Sequence, residues 1–282
     1  MSRHLARYGV VVIALVVLCS CAVRLGYNTL NFWIPYYLSD YVTLTSSQKQ
    51  VFGTALDQAL ANHRRQELPK IHRQLMALQT SLIEPLSYGG VRYYHDVFTR
   101  LGQDSAAMLA GPLAAVVKTF SSQQAGEMSR KFEARLNEIL TERDPLSAAE
   151  KQRKRAARLA DRAEDWIGRL SPEQRKLLEE LAGYQVEMEP VFVSVWQDFL
   201  RNWSQLLATR AQPNLEGRMR ALLQDLVAFR YPAKQAELDF YLNRRFELLS
   251  RLHHTMTERQ QRHLDEKLTS LRKDVAVLIN ES

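Results

Sequence analysis

Leu170-Ser171-Pro172-Glu173-Gln174 reads apolar, hydroxyl, two residues, Gln, and that pattern decides the fold. A Ser or Thr at a helix N-cap accepts the N3 amide proton, while a Gln or Glu at N3 reaches back to the cap residue's own N–H. The same box recurs at Leu44-Thr45-Ser46-Ser47-Gln48, Phe120-Ser121-Ser122-Gln123-Gln124 and Met256-Thr257-Glu258-Arg259-Gln260, and with Glu at Leu146-Ser147-Ala148-Ala149-Glu150. The apolar N4 partner of a usual staple is replaced by Lys49, Arg175 and Gln261 in three of these boxes. Eight residues after each leading apolar residue of the four Gln boxes stands another, Phe52, Met128, Leu178 or Leu264. The leading residue is therefore expected to pack on a neighbouring helix rather than on its own.

Working outward, the apolar positions step with helical period. Leu68, Ile71, Leu75, Leu78 and Leu82 form one seam and Leu264, Leu268, Leu271, Val275 and Leu278 another. With 11 Gly and 9 Pro in 282 residues, the chain has few places where strands could be bounded by turns. The expected fold class is all-α, an elongated multi-helix bundle of about eight to nine helices, near 27–40, 46–83, 89–118, 122–142, 148–169, 172–209, 214–229, 233–254 and 258–280. Pro69 and Pro190 fall inside two of the longest and should kink them, since each removes an amide donor. Unbroken, the 46–83 helix would be about 57 Å long.

The N-terminus gives an address. Arg3 and Arg7 precede an apolar run from Val10 to Leu18, and Leu18-Cys19-Ser20-Cys21 has the form of a bacterial lipobox. Such a run is too short to span a bilayer. The expected organisation is a lipoprotein signal peptide over residues 1–20 and a single helical domain over 21–282, with Cys21 carrying the lipid. Ala22 follows the cysteine where an Asp would favour the inner membrane, which leans the location toward the periplasm-facing leaflet of the outer membrane. An ordinary signal peptide or an uncleaved anchor is the alternative reading. Cys19 would leave with the leader and Cys21 would be blocked, so no disulfide is expected.

Without residues 1–20 the chain keeps 36 Lys plus Arg against 31 Asp plus Glu, a formal charge of +5. An exported protein of this modest balance, with no basic face bearing interleaved aromatics, is not expected to bind nucleic acid. Anionic lipid, lipopolysaccharide or wall carboxylates suit the excess better. The densest charge is Lys151, Arg153, Lys154, Arg155 and Arg158, read either as a solvated helix face or as a contact for an anionic surface. Glu150 with Lys154 and Asp165 with Arg169 are spaced for i,i+4 pairs.

The segment Tyr27–Tyr41 holds Tyr27, Phe32, Trp33, Tyr36, Tyr37 and Tyr41 around most of a helix. It could lie among head groups, but a seam of Leu30, Trp33, Tyr37 and Tyr41 points rather to a helix threaded into the core. Histidines 63, 72, 95, 253, 254 and 263 lack metal-ligand spacing, and hydrolase, phosphate-loop and thiol-nucleophile motifs are absent. No cofactor, metal, catalytic residue or small-molecule substrate is expected.

Val23-Arg24-Leu25-Gly26-Tyr27-Asn28, Tyr37-Leu38-Ser39-Asp40-Tyr41-Val42, His63-Arg64-Arg65-Gln66-Glu67-Leu68-Pro69 and Glu164-Asp165-Trp166-Ile167-Gly168-Arg169 before the Ser171 box together resemble an uncharacterised family of Gram-negative all-helical lipoproteins. That resemblance implies a lipobox and helicity and carries no assigned activity. A looser similarity, through the strict Leu-Thr-x-x-Gln at 44–48, is to small periplasmic stress chaperones. The expected function is a lipid-anchored, non-enzymatic interaction or scaffold module with an envelope protein partner. The alternative is a membrane-tethered holdase for unfolded envelope proteins.

Overall fold

In the computed structural model, residues 20–143 and 145–281 are described. The lipobox residues Leu18 and Cys19, the apolar run 10–18 and Arg3 and Arg7 lie outside them. Among the described residues the secondary structure is helical: α1 (Ser20–Asn28), α2 (Leu30–Ser39), α3 (Ser46–Gln66), α4 (Leu68–Ser81), α5 (Tyr88–Ala107), α6 (Ala110–Val117), α7 (Ser122–Arg143), α8 (Ala148–Ile167), α9 (Pro172–Glu187), α10 (Glu189–Ala208), α11 (Leu215–Val227), α12 (Gln235–His254) and α13 (Glu258–Asn280), with a 3-10 turn at Pro232–Lys234. The all-α bundle expected from the sequence is thus what forms.

From α3 onward the expected helix spans match the observed ones with one systematic difference, that long rods are divided at kinks, whereas α1 lies almost wholly ahead of the expected 27–40 span. The 46–83 helix breaks at Glu67 into α3 and α4, and the 172–209 helix breaks at Met188 into α9 and α10. Pro69 and Pro190 then sit in the first turn of the second piece, where a missing amide proton costs nothing. The continuous rod of about 57 Å is therefore replaced by pieces of 21 and 14 residues. A third division, at Met108–Leu109, precedes Pro112, and a fourth falls at Thr29. The Met188 N–H closes α9 on the Tyr184 carbonyl at 3.0 Å.

All five boxes form. In the four that use Gln, the Oε1 accepts the cap residue's N–H at 2.9–3.0 Å, from Thr45, Ser121, Ser171 and Thr257. The boxes also meet in pairs. Gln48 and Gln124 donate to each other's Oε1 at 3.1 and 2.7 Å, and Gln174 and Gln260 do the same at 2.9 and 2.8 Å. The second amide proton of each goes to the carbonyl two residues ahead of the partner's cap: Gln48 to Thr119, Gln124 to Thr43, Gln174 to Thr255 and Gln260 to Arg169. Both protons and both acceptor positions of all four side chains are used, which is what lets Gln174 be completely buried.

The leading apolar residues behave as expected and surround these pairs. Leu44, Phe52, Phe120 and Met128 share one hydrophobic cluster, and Leu170, Leu178, Met256 and Leu264 share another. Each fully buried Phe or Met contributes about 1.5–3 kcal/mol by leaving water.

The two box pairs mark two five-helix units, α3–α7 and α9–α13. Within each, the first helix packs on the fourth, α3 on α6 and α9 on α12. Between them, the second helix of each packs on the fifth of the other, α4 on α13 and α10 on α7. The third helices, α5 and α11, pack on each other, and α6 meets α11 as α12 meets α5. These are the contacts of an approximate internal two-fold in which the units exchange partners. Clusters built on Leu68, Leu75, Leu271 and Leu278, and on Leu177, Val195, Leu238 and Leu248, join the pieces.

Gln174→Ala is expected to lower unfolding free energy in urea by about 2–3 kcal/mol, since it orphans the carbonyl of Thr255, the Ser171 N–H and half of Gln260. In a double-mutant cycle with Gln260→Ala the coupling should be about 1–2 kcal/mol; independent, additive losses would show that the pair does not act as a unit.

Candidate functional site

The kinks are where polar groups gather. At the first, α1 lays Tyr27 beside the last turn of α3. The Tyr27 hydroxyl lies 3.0 Å from His63 Nδ1, and His63 Nε2 lies 3.0 Å from Ser105 Oγ on α5. Ser105 donates its own proton to the Leu101 carbonyl at 2.8 Å. One arrangement satisfies all of these: Tyr27 donates to Nδ1, and Nε2–H donates to Ser105. Burial pushes His63 down to about 4 and Tyr27 up to about 12, although Arg64 beside the ring opposes the latter shift. His63 is therefore neutral and both its nitrogens are engaged.

Around this core lies a shallow groove lined by Tyr27, Asn28, Asn31, Asp57, Arg64 and Glu281. Arg64 stacks over Tyr27 at 5.1 Å, donates to Asn28 Oδ1 at 2.7 Å and pairs with Glu281 at 3.5 Å. Asn28 donates to Glu281 at 3.0 Å, and Arg24 pairs with Asp274 at 3.5 Å. Two stretches quoted for the family resemblance, 23–28 and 63–69, thus meet at this place. Together they tie the start of the described chain to the end of α13.

As chemistry, the arrangement holds rather than reacts. A serine whose proton is spent on a backbone carbonyl is not activated, and an imidazole held near 4 is a weak base at neutral pH. Sequence reasoning passed over Tyr27, His63 and Ser105. The available signal was register: His63 continues the inward stripe of Phe52, Leu56 and Leu60, and Tyr27 shares the inward side with Leu30.

The basic run divides. Lys151 and Arg155 turn inward to the second kink, where Lys151 pairs with Glu189 at 3.3 Å. Arg155 binds the Glu189 carboxylate and also the Gln185 carbonyl at the end of α9. Arg153, Lys154 and Arg158 are exposed. Glu150, spaced for Lys154, instead accepts from the N–H and hydroxyl of Ser147 to close its box. Glu164, the residue before Asp165, binds Arg175. Cys21 lies in the first turn of α1.

The reading of 27–41 as one helix threaded into the core holds only in part. The segment is two helices, and Phe32, Trp33 and Tyr36 are 60%, 42% and 53% exposed. The inward positions are Tyr27, Leu30, Ile34, Leu38 and Tyr41, whose ring stacks on Phe132 at 4.2 Å. Of the expected seam Leu30 and Tyr41 pack inward, while Trp33 faces out and Ile34 and Leu38 take the core positions between them.

Among the described residues no helix is long and apolar enough to cross a membrane, and no group of three or more His, Cys, Asp or Glu converges as a metal site. A family model, described as a family of unknown function (DUF6279), matches residues 40–231. No curated protein and no solved structure matches the chain.

Because His63 has a lower proton affinity folded than unfolded, its protonation favours unfolding. The corresponding stability is fully present above about pH 6.5 and is lost as the pH falls toward about 4. The wild type should lose up to about 1.4 kcal/mol per pH unit across that window relative to His63→Gln, measured by urea unfolding at each pH. At the second kink, Glu189→Ala should cost about 2–4 kcal/mol by removing the half-buried carboxylate that Lys151 and Arg155 share, whereas Lys154→Ala should stay within about 0.5 kcal/mol.

Proposed function

We propose that this chain, which belongs to the family of unknown function DUF6279, is an envelope lipoprotein anchored through acylated Cys21, whose helical body serves as a non-enzymatic interaction module close to the membrane. The observation that carries the reading is the continuity of the anchor with the body. Helix α1 includes Cys21, and by Asn28 the residues Arg24, Tyr27 and Asn28 are bound to Asp274, His63 and Glu281. Acyl chains at Cys21 would therefore hold a rigid object rather than a tethered one. Each buried methylene contributes about 0.8 kcal/mol, so multiple chains give durable attachment.

The interaction role is supported by what the polar centres do. The Tyr27–His63–Ser105 chain and the Lys151–Arg155–Glu189 cluster both brace kinks, and neither leaves an activated group facing solvent. The exposed Arg153, Lys154 and Arg158 remain as a cationic face for an anionic polymer or an acidic partner. The holdase alternative requires a contiguous apolar surface of several hundred Å². Among the described residues the exposed apolar side chains include a group along α1 and α2 and others set on many different helices, such as Met76, Tyr93, Trp196 and Phe240.

Labelled palmitate should enter the wild type and not Cys21→Ser, with the wild type recovered in the outer-membrane fraction. Equal labelling of both proteins, or none of the wild type, would overturn the anchor. Photo-crosslinking from Lys154 and Arg158 should return one recurring envelope component; a broad set of unfolded clients would favour the holdase.

A further inference from the structure

On the outward side of α1 and α2, exposed apolar residues align. Leu25, Phe32 and Tyr36 follow at i, i+7 and i+11, and Trp33 flanks them; Leu25 is 67% exposed. The rings of Phe32, Trp33, Tyr36 and Tyr37 pack on one another, with centroids 5.1–6.1 Å apart. They form a preassembled aromatic ridge outside the core.

The surroundings of the ridge select its occupant. Between Ser20 and Ser39 the only charged residue is Arg24, and it is paired with Asp274. The hydroxyls that would otherwise need water are satisfied by the helix itself: Thr29 donates to the Leu25 carbonyl and Ser39 to the Tyr36 carbonyl, each at 2.6 Å. Two helices whose single charge is paired, and whose Thr29 and Ser39 hydroxyls bond to the helix itself, lose little on leaving water. Trp and Tyr, with apolar bodies and polar tips, are favoured at the boundary between head groups and acyl chains. At ten residues, α2 is about 15 Å long and cannot span a bilayer; it can only lie in the interface.

We infer that this ridge is a second membrane contact, in which Leu25, Phe32, Trp33 and Tyr36 sit in the interfacial layer of a phospholipid bilayer and fix the orientation of the body. The inference rests on the anchoring at Cys21 for its geometry. Cys21 precedes Tyr36 by 15 residues, about 23 Å of helix at most, so lipid at Cys21 would place the ridge at the same surface. A single anchor leaves the body free to swivel; a second apolar contact on a rigid arm does not.

The test uses protein purified from membranes and reconstituted into vesicles of phosphatidylethanolamine and phosphatidylglycerol, with and without brominated acyl chains. The chain has four tryptophans, so Trp33 is isolated as the difference between wild type and Trp33→Phe. The Trp33 emission should be blue-shifted and fall at least two-fold with brominated lipid, while the remaining three tryptophans change little. Equal quenching of the two proteins, or a blue-shifted Trp33 that bromine does not quench, overturns the proposal; the latter would assign the ridge to a second copy or a protein partner. Failure to stay on the vesicles overturns it as well. Intact mass of the same sample decides the anchor separately, since cleavage before Cys21 with added acyl mass is required there whatever Trp33 does. Circular dichroism of Phe32→Ser/Trp33→Ser/Tyr36→Ser should match wild type, because all three side chains are exposed, and this variant should lose the ordered seat while keeping its lipid.

Discussion

Two pairs of glutamines, one buried and one half-buried, hold the layout of this protein. A helix start leaves amide protons unsatisfied, and bringing two starts together doubles that cost. Here each Gln closes its own box with Oε1, and its amide group then crosses to the facing box. No other side chain does both. A Glu could close its own box but would face its counterpart carboxylate and offer no proton to the opposite carbonyl. An Asn would fall short of one task or the other. The backbone donors at Thr45, Ser121, Ser171 and Thr257 fix which end of each amide is oxygen, so each pair has one solution. Around each, a quartet of apolar side chains excludes competing water, which strengthens hydrogen bonds that surface exposure would dilute.

From that constraint the rest of the arrangement follows. Pinning α3 against α7 at their starts, and α9 against α13, leaves α4 and α10 with only part of their surface covered within their own unit once the kinks turn them away. Each is completed by the last helix of the other unit. The kinks are consequently part of the exchange, and each is braced from the segment that precedes its unit. The braces differ in chemistry: α1 supplies Tyr27 to neutral His63, while α8 supplies Lys151 and Arg155 to Glu189. An approximate two-fold in backbone packing thus coexists with unrelated side-chain solutions. That is why the repeat shows in the sequence as the boxes and little else.

Much of the fold was legible because capping is local. Ser171 and Gln174 are three residues apart and announce a helix start regardless of what surrounds it, so the ends of the rods emerge from the sequence alone. Pro69 and Pro190 likewise announce a break, though not that the break would divide the helix with proline in the new first turn. The pairing of boxes was not legible, since Gln48 and Gln124 are 76 residues apart and nothing local distinguishes a paired Gln from a solitary one. Arg155 and Arg153 looked alike within one basic run, but only the first meets a carboxylate on another helix. Trp33 misled in the opposite direction: bulk and apolarity suggested the core, while Ile34 and Leu38, smaller and less conspicuous, occupy it.

The misread aromatics and the divided basic run bear on the same question. Helix α2 packs on α3 at the head of one unit as α8 packs on α9 at the head of the other. The two leading segments display opposite chemistry: one presents Phe32, Trp33 and Tyr36, the other Arg153, Lys154 and Arg158. A body with one solvent environment has no use for such a division, because exposed aromatic rings cost solubility and a cationic face would serve equally at either head. Under the anchor proposed at Cys21, the uncharged head would lie against lipid and the charged head would be the one left to meet a partner. The approximate two-fold would then supply rigidity between two different surfaces rather than two copies of one site.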